Sequence, residues 1–153
     1  MDRARVDNGL RRAGAGDLPA VRAIAQAAYA PYVARIGRRP APMVADFGAH
    51  LAREELWVIG APVAGYLVAY RDGDAWQIDN LAIAPHRQGQ GVGAALLLAG
   101  EALARDAGAG RVTLYTNARM EGNIAWYQRC GYQLTDRRKE DGFERVFFEK
   151  PLN

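Results

Sequence analysis

Apolar positions recur first at helical spacing and then, from residue 56, at strand spacing. Leu18, Val21, Ile24, Ala25, Ala28 and Tyr29 lie three and four residues apart, which predicts one helix with a single buried face. Asp17 is a good N-cap for it, and Pro19 suits its first turn. Upstream, Leu10 to Ala13 reads as a short first strand, Gly14-Ala15-Gly16 as a turn and residues 1–9 as a frayed leader. Pro31, Gly37, Pro40 and Pro42 break the chain into an irregular segment, and a second short helix is expected over Val44 to Arg53.

Leu56-Trp57-Val58-Ile59 then predicts a strand, Gly60-Ala61-Pro62 a turn and Val63 to Arg71 a second strand. Asp72-Gly73 marks a tight turn before a third strand over Ala75 to Ile83. A long helix follows from Gly91 to Ala107, with Val92, Ala95, Leu96, Ala99 and Leu103 on its buried face and Gly108 just past its end. Arg111 to Thr116 is another strand, and Glu121 to Cys130 a short helix ended by Gly131. Two last strands, Tyr132 to Arg137 and Arg145 to Glu149, flank a turn at Glu140-Asp141-Gly142. Strand, two helices, three strands, helix, strand, helix, two strands is the order of a mixed α+β domain.

The 153 residues are expected to form a single domain, 1–153, long enough to bury roughly 70% of the unfolded surface. The net charge of +3 could favour an anionic cofactor but is too small and scattered to argue for nucleic acid. Lys139 and Lys150 are the only lysines beside eighteen arginines, a bias typical of a GC-rich bacterial genome. Cys130 is the only cysteine, so an intrachain disulfide is impossible and a reducing compartment is expected. Without an 18-residue apolar stretch or a signal-peptide core in Met1 to Gly9, the protein is read as cytoplasmic and soluble, with no membrane partner. His50 and His86 lack ligand partners at any recognisable spacing, so no metal is expected.

The chemistry concentrates in His86-Arg87-Gln88-Gly89-Gln90-Gly91-Val92-Gly93, between a strand and the long helix. Glycines at a helix entry bring backbone N–H groups close to a phosphate. Gly89 to Ala94 also fits a loose dinucleotide pattern, G-x-G-x-x-A. That reading needs an acid after the next strand, where Tyr115-Thr116-Asn117 has none, and the antiparallel meander upstream is wrong for it. No Gly-Lys-Ser/Thr follows, which excludes a P-loop. A glycine-rich helix start without a ligand stays open.

Gln88-Gly89-Gln90-Gly91-Val92-Gly93 matches Q/R-x-x-G-x-G/A, behind a strand ending Leu81-Ala82-Ile83-Ala84-Pro85. Downstream, Asn123-Ile124-Ala125-Trp126-Tyr127-Gln128-Arg129-Cys130-Gly131-Tyr132 is close to N-x-x-A-x-x-x-Y-x-x-x-G-[FY], with a shorter spacing before the tyrosine. With both motifs in order, nearly the whole chain resembles the GCN5-related N-acetyltransferase (GNAT) superfamily. The resemblance implies a central, mostly antiparallel mixed sheet of about seven strands with about four helices. It implies acetyl-coenzyme A as cosubstrate, its pyrophosphate held by Gln88, Gly89, Gln90, Gly91, Val92, Gly93 and Ala94. It also implies a bulged strand splayed from its neighbour, with the backbone of Leu81 and Ile83 pairing with the pantetheine arm, and Asn123 contacting that arm.

By the same resemblance Tyr127 hydrogen-bonds the departing sulfur, for which a protonated phenol is a suitable donor. Relatives often take the amine proton with a carboxylate on the strand before the turn, where Asp79 is the only acid here. Asp79 acts as base or only as a hydrogen-bonding group. Gln77 stands on its face where histone-acetylating relatives have a glutamate, which departs from their mechanism. Acceptor contacts are expected from Tyr29, Tyr32, Tyr115 and Asn117, with Arg35, Arg38, Arg39 and Met43 in the irregular segment. The expected function is transfer of acetyl to a primary amine of a small molecule by direct attack, an acyltransferase of class EC 2.3.1.-. A protein or peptide acceptor and a non-catalytic acyl-coenzyme A sensor are the rivals. The resemblance also allows a homodimer, for which the last strands are the natural place of pairing.

Overall fold

A computed structural model describes residues 9–153, so the expected frayed leader lies, except for Gly9, outside the described residues. The element order is the expected one with a single addition. Strand β1 is Leu10–Arg12, helix α1 Leu18–Tyr29, α2 Val33–Ile36 and α3 Phe47–Ala52. Strands β2 (Leu56–Ile59), β3 (Gly65–Asp72) and β4 (Ala75–Ile83) form the meander. Helix α4 (Val92–Asp106), β5 (Arg111–Asn117), α5 (Glu121–Arg129), β6 (Gln133–Glu140) and β7 (Phe143–Pro151) complete the chain.

The addition is α2, one turn inside the segment expected to be irregular; Gly37 ends it with φ +87°. Pro31 does not prevent it, because that proline falls in a 3-10 turn ahead of the helix. α3 is shorter than expected, since Ala41–Val44 forms a separate 3-10 turn and Asp46 caps α3 by accepting the N–H of Ala49. The side chain of Asp17 does not cap α1: it takes the N–H of Gly14 at 2.8 Å and two hydrogen bonds from Arg11. β6 and β7 are longer than expected because Asp141 and Gly142, with φ of +53° and +81°, make a two-residue hairpin turn.

The seven strands stand in the order β1-β2-β3-β4-β5-β7-β6, and β4 with β5 is the one parallel pair. Alternation along the strands gives the sheet two apolar faces. Leu67, Ala69, Trp76, Ile78, Val112, Leu114, Val146 and Phe148 pack with Leu96, Leu97 and Ala99 of α4 and Tyr127 of α5. Leu56, Val58, Tyr66, Val68 and Ala82 pack with Val21, Ile24 and Ala25 of α1 and Phe47 of α3. The face of α4 reaches further round than expected: Glu101 is only 2% exposed, accepting from Tyr132 at 2.8 Å and from Lys150 at 3.1 Å.

Two irregularities of β4 shape the site. Val68 pairs with Asn80 and Ala69 with Ile78, so Asp79 is an extra residue, a β-bulge. Before it Trp76 and Ile78 join the α4 face; after it Ala82 joins the α1 face, and Asn80 accepts from Tyr66 of that face at 2.7 Å. Pairing of β4 with β5 also ends at Ile78 and Leu114, while β5 stays paired with β7 to Asn117. The centre of the sheet splits there.

Candidate active site

Gly89 and Gly91 have φ of +77° and +83°, a conformation that favours glycine. Gly91 is the N-cap of α4, and its carbonyl takes the N–H of Ala95 at 3.1 Å. The N–H groups of Val92, Gly93 and Ala94 therefore have no carbonyl partner inside the helix, and they stand at its positive end. The expected N–H run from Gln88 is shorter by one group, since Gln88 donates to the carbonyl of Pro85 at 3.3 Å.

A groove of about 1090 Å³, open on one side, runs from this turn to the split. Leu81, Ile83, Gln88, Gly89, Gly91, Gly93, Ala94 and Asn123 line it, as does Tyr32. Gln90 and Val92 do not: the Gln90 side chain turns back to Arg87 and to the carbonyl of His86. A Cβ on Gly89 or Gly91 would meet nothing within 4 Å, so the space in front of the turn is open. Trp126 also lines the groove, 3.5 Å from where a Cβ on Gly93 would stand, and was not singled out from the sequence.

Beyond the split lies a smaller space of about 570 Å³, and Tyr115 and Asn117 line it. Groove and cavity share Tyr29, Leu81, Met120, Asn123 and Tyr127, so they meet edge to edge. Tyr127 is buried among Trp126, Tyr132 and Phe148. Burial raises its phenol above the ordinary value, with Cys130 adding a smaller push in the same direction. Among the described residues nothing hydrogen-bonds its hydroxyl. Asn123 reaches Thr116 at 3.5 Å and the sulfur of Met120 at 3.7 Å. Tyr29 donates to the carbonyl of Leu81 at 2.8 Å, holding α1 against the free part of β4.

Asp79 lines the cavity because alternation from Trp76 and Ile78, both on the α4 side, turns its side chain to the opposite face. Its carboxylate accepts from Tyr70 at 3.3 Å and from Tyr115 at 3.4 Å. Burial and then the charge of Asp79 push the Tyr115 phenol up to about 12, against a smaller downward pull from Arg145. Gln77 does not line the cavity; it accepts from Thr113 of β5 at 2.6 Å. Arg145 stacks over Tyr115 at 4.6 Å and donates to Glu140 at 2.8 Å. Pro40, Pro42 and Phe143 add apolar walls. Arg38 lies 3.6 Å over Phe143 and donates to the carbonyl of Asp141, tying the proline segment to the β6–β7 turn.

The remaining polar residues of that segment do not line either space: Arg39 donates to Gln26, Met43 accepts from Gln26, and Arg35 lies over Tyr32. Cys130 is half-buried and burial pushes its thiol up, so it is no ready nucleophile. Tyr70, Arg145, Phe143 and Met120 were missed by the sequence reading. The signal for Phe143 was the Asp141-Gly142 turn beside it; Tyr70 and Arg145 carried none, because only strand pairing brings them to Asp79.

A model of the acetyltransferase (GNAT) family matches residues 20–132 of the chain. A search of curated proteins found no match. Among solved structures, the ribosomal-protein-S18-alanine N-acetyltransferase of Escherichia coli aligns at 22% identity over 93% of this chain and 92% of its own, with a TM-score of 0.74. The PaiA N-acetyltransferase of Thermoplasma acidophilum, in complex with coenzyme A, aligns at 16% identity over 94% and 98%, TM-score 0.78. The yncA protein of Salmonella typhimurium with its cofactor acetyl-CoA aligns at 20% over 94% and 93%, TM-score 0.68. At these identities the likeness is one of fold: a seven-stranded mixed sheet with helices on both faces.

Proposed function

This chain belongs to the acetyltransferase (GNAT) family, and we propose that it transfers the acetyl group of acetyl-coenzyme A to the primary amine of a small molecule by direct attack. The observation that carries this reading is the meeting of groove and cavity at Tyr127, Asn123, Leu81, Met120 and Tyr29. One side fits a long cofactor arm, and the other a small acceptor. The complexes of PaiA with coenzyme A and of yncA with acetyl-CoA support the choice of cosubstrate.

The residues fit that group. Glycines at 89 and 91 leave open space before the N–H groups of the first turn of α4, which can hold a pyrophosphate without a side-chain cation. The edge of β4 that β5 leaves unpaired after Ile78 offers backbone groups to the pantetheine arm. Acetyl-coenzyme A supplies a thioester whose acyl carbon is attacked and whose sulfur leaves. Tyr127 keeps its proton at neutral pH and offers it to that sulfur. Asp79, across the junction, takes the amine proton directly or through water. Holding both partners at one junction supplies much of the rate.

The smaller size of the cavity, with Pro40, Pro42 and Phe143 among its walls, favours a small molecule over a peptide segment. No described helix is long and apolar enough to cross a membrane, and a user of acetyl-coenzyme A with a single cysteine suits the cytoplasm. The test is release of free coenzyme A thiol from acetyl-coenzyme A with a panel of small amines and peptides. Release with small amines supports the reading; release with peptides alone replaces the acceptor, and binding without release across the panel makes the protein a sensor.

A further inference from the structure

Arg145 is the most buried cation in contact with the cavity, and its side chain is 9% exposed. One nitrogen, Nη1, is taken by Glu140 at 2.8 Å and Asp141 at 3.5 Å. The guanidinium is held between Tyr115 at 4.6 Å and Phe143 at 5.6 Å, which fixes its plane. Among the described residues no group pairs with its Nε or Nη2. Neither nitrogen is sealed in protein, because the indole nitrogen of Trp76 is the one buried side-chain polar atom without a partner among the described residues. Arg145 lines the space, so part of its remaining surface opens on it.

Glu140 does not cancel this charge alone, since it also pairs with Arg138 at 3.2 Å. At the hydroxyl end of Tyr115 stands the carboxylate of Asp79. The cavity thus carries a fixed anion at the hydroxyl of one aromatic ring and a fixed cation over the face of the same ring, between apolar walls of Pro40, Pro42, Met120 and Phe143. A guanidinium with two adjacent free donors and a locked plane is suited to a carboxylate, which it can hold by two parallel hydrogen bonds.

We propose that the acceptor is an amino-acid-like zwitterion: a small primary amine that carries a carboxylate, its ammonium directed to Asp79 and its carboxylate to Nε and Nη2 of Arg145. This rests on the acetyltransferase reading above and narrows it. The amine end reaches the junction with Tyr127, while the carboxylate is held at the far end of the cavity. Uncharged amines of the same shape leave the free guanidinium donors without an anion.

The test compares matched sets of an amino acid, its carboxamide and its decarboxylated amine, with the two charged groups at α, β and γ spacing and with aliphatic side chains. Thiol release is followed at saturating acetyl-coenzyme A, and kcat/KM is corrected for each compound's fraction of neutral amine. The expected result is at least one acid favoured over its amide by about tenfold or more, chiefly through KM. Arg145→Gln, shown to be folded by its coenzyme A binding, should bring that ratio close to one, and Arg145→Lys should keep part of it. Amides or plain amines turned over as well as every acid overturn the inference while leaving the acetyltransferase reading intact. So does a preference that survives Arg145→Gln. Release with none of the amines, while coenzyme A binds, overturns the catalytic reading itself and this inference with it. If Arg145→Gln does not fold, the wild-type ratio and Arg145→Lys decide.

Discussion

The hydroxyl of Tyr29 donates to the carbonyl oxygen of Leu81 at 2.8 Å, across the boundary between the cofactor groove and the acceptor cavity. Two residues assigned to different substrates are thus partners of each other. Tyr29→Phe is expected to lower stability by about 1 kcal/mol in urea unfolding, the worth of one such hydrogen bond. If the cofactor arm also seeks the Leu81 carbonyl, the variant binds coenzyme A up to about threefold more tightly by calorimetry, because a competing donor is gone. Weaker binding would show that the phenol itself contacts the cofactor.

Tyr127→Phe removes the proton offered to the leaving sulfur and little else, since its ring stays packed among Trp126, Tyr132 and Phe148. The expected loss in kcat is about 10²-fold, with KM for acetyl-coenzyme A changed less than about threefold. Steady-state kinetics separate the two. Burial raises the phenol above its ordinary value, so wild-type activity should show no alkaline loss from this group up to the ordinary tyrosine range near pH 10.

Asp79→Asn keeps an oxygen that can accept from Tyr70 and Tyr115, so the variant should fold. As the proton acceptor, Asp79 predicts a fall in kcat of about 10²-fold and an altered acid side of the pH–rate profile. An unchanged profile reduces its role to orienting the two phenols.

The glycine turn was legible in the sequence because its chemistry is local: backbone groups from Gly89 onward need only the right spacing and a helix behind them. Asn123 and Tyr127 were legible for a similar reason, lying on one short helix. The cavity was not. Arg145 reaches Tyr115 through pairing of β5 with β7, and Tyr70 reaches Asp79 through β3 and β4, so neither neighbour is near in the chain. Glu101 lies outside the buried face expected of the long helix, yet Tyr132 and Lys150, 31 and 49 residues away, make its burial possible.

Gly91→Ala tests the turn without adding bulk to the protein interior, since nothing lies within 4 Å of the new Cβ. The left-handed φ of +83° should make the substitution destabilising by about 1 kcal/mol in thermal or urea unfolding. The methyl group stands in the groove, so coenzyme A binding should weaken more than stability does. Equal binding by wild type and variant would remove this turn from the cofactor site.

A last prediction concerns acid stability near the entry to α1. Two hydrogen bonds from Arg11, and one from the Gly14 N–H, hold the Asp17 carboxyl below the usual carboxylate range, against the opposing effect of burial. A depressed folded pKa adds stability above the unfolded value near 4, and that contribution disappears as pH falls through the folded value. Arg11 is partly exposed, so screening keeps the effect small. Asp17→Ala should therefore lower stability by about 1 kcal/mol at pH 7, and the difference should shrink below pH 4. Urea unfolding at the two pH values checks the sign.

The bulge at Asp79 also determines which sort of genetic change the site can absorb. Substitutions at 79 alter a side chain and leave the phase of the strand alone. Loss of the single codon for Asp79 would restore strict alternation, with Ile78 and Asn80 still opposite Ala69 and Val68, and would leave every later side chain of β4 on its present face. Ala82 would stay under α1, and Leu81 and Ile83 would stay towards α4. The frame of the strand would survive that loss, and only the carboxylate would go with the codon.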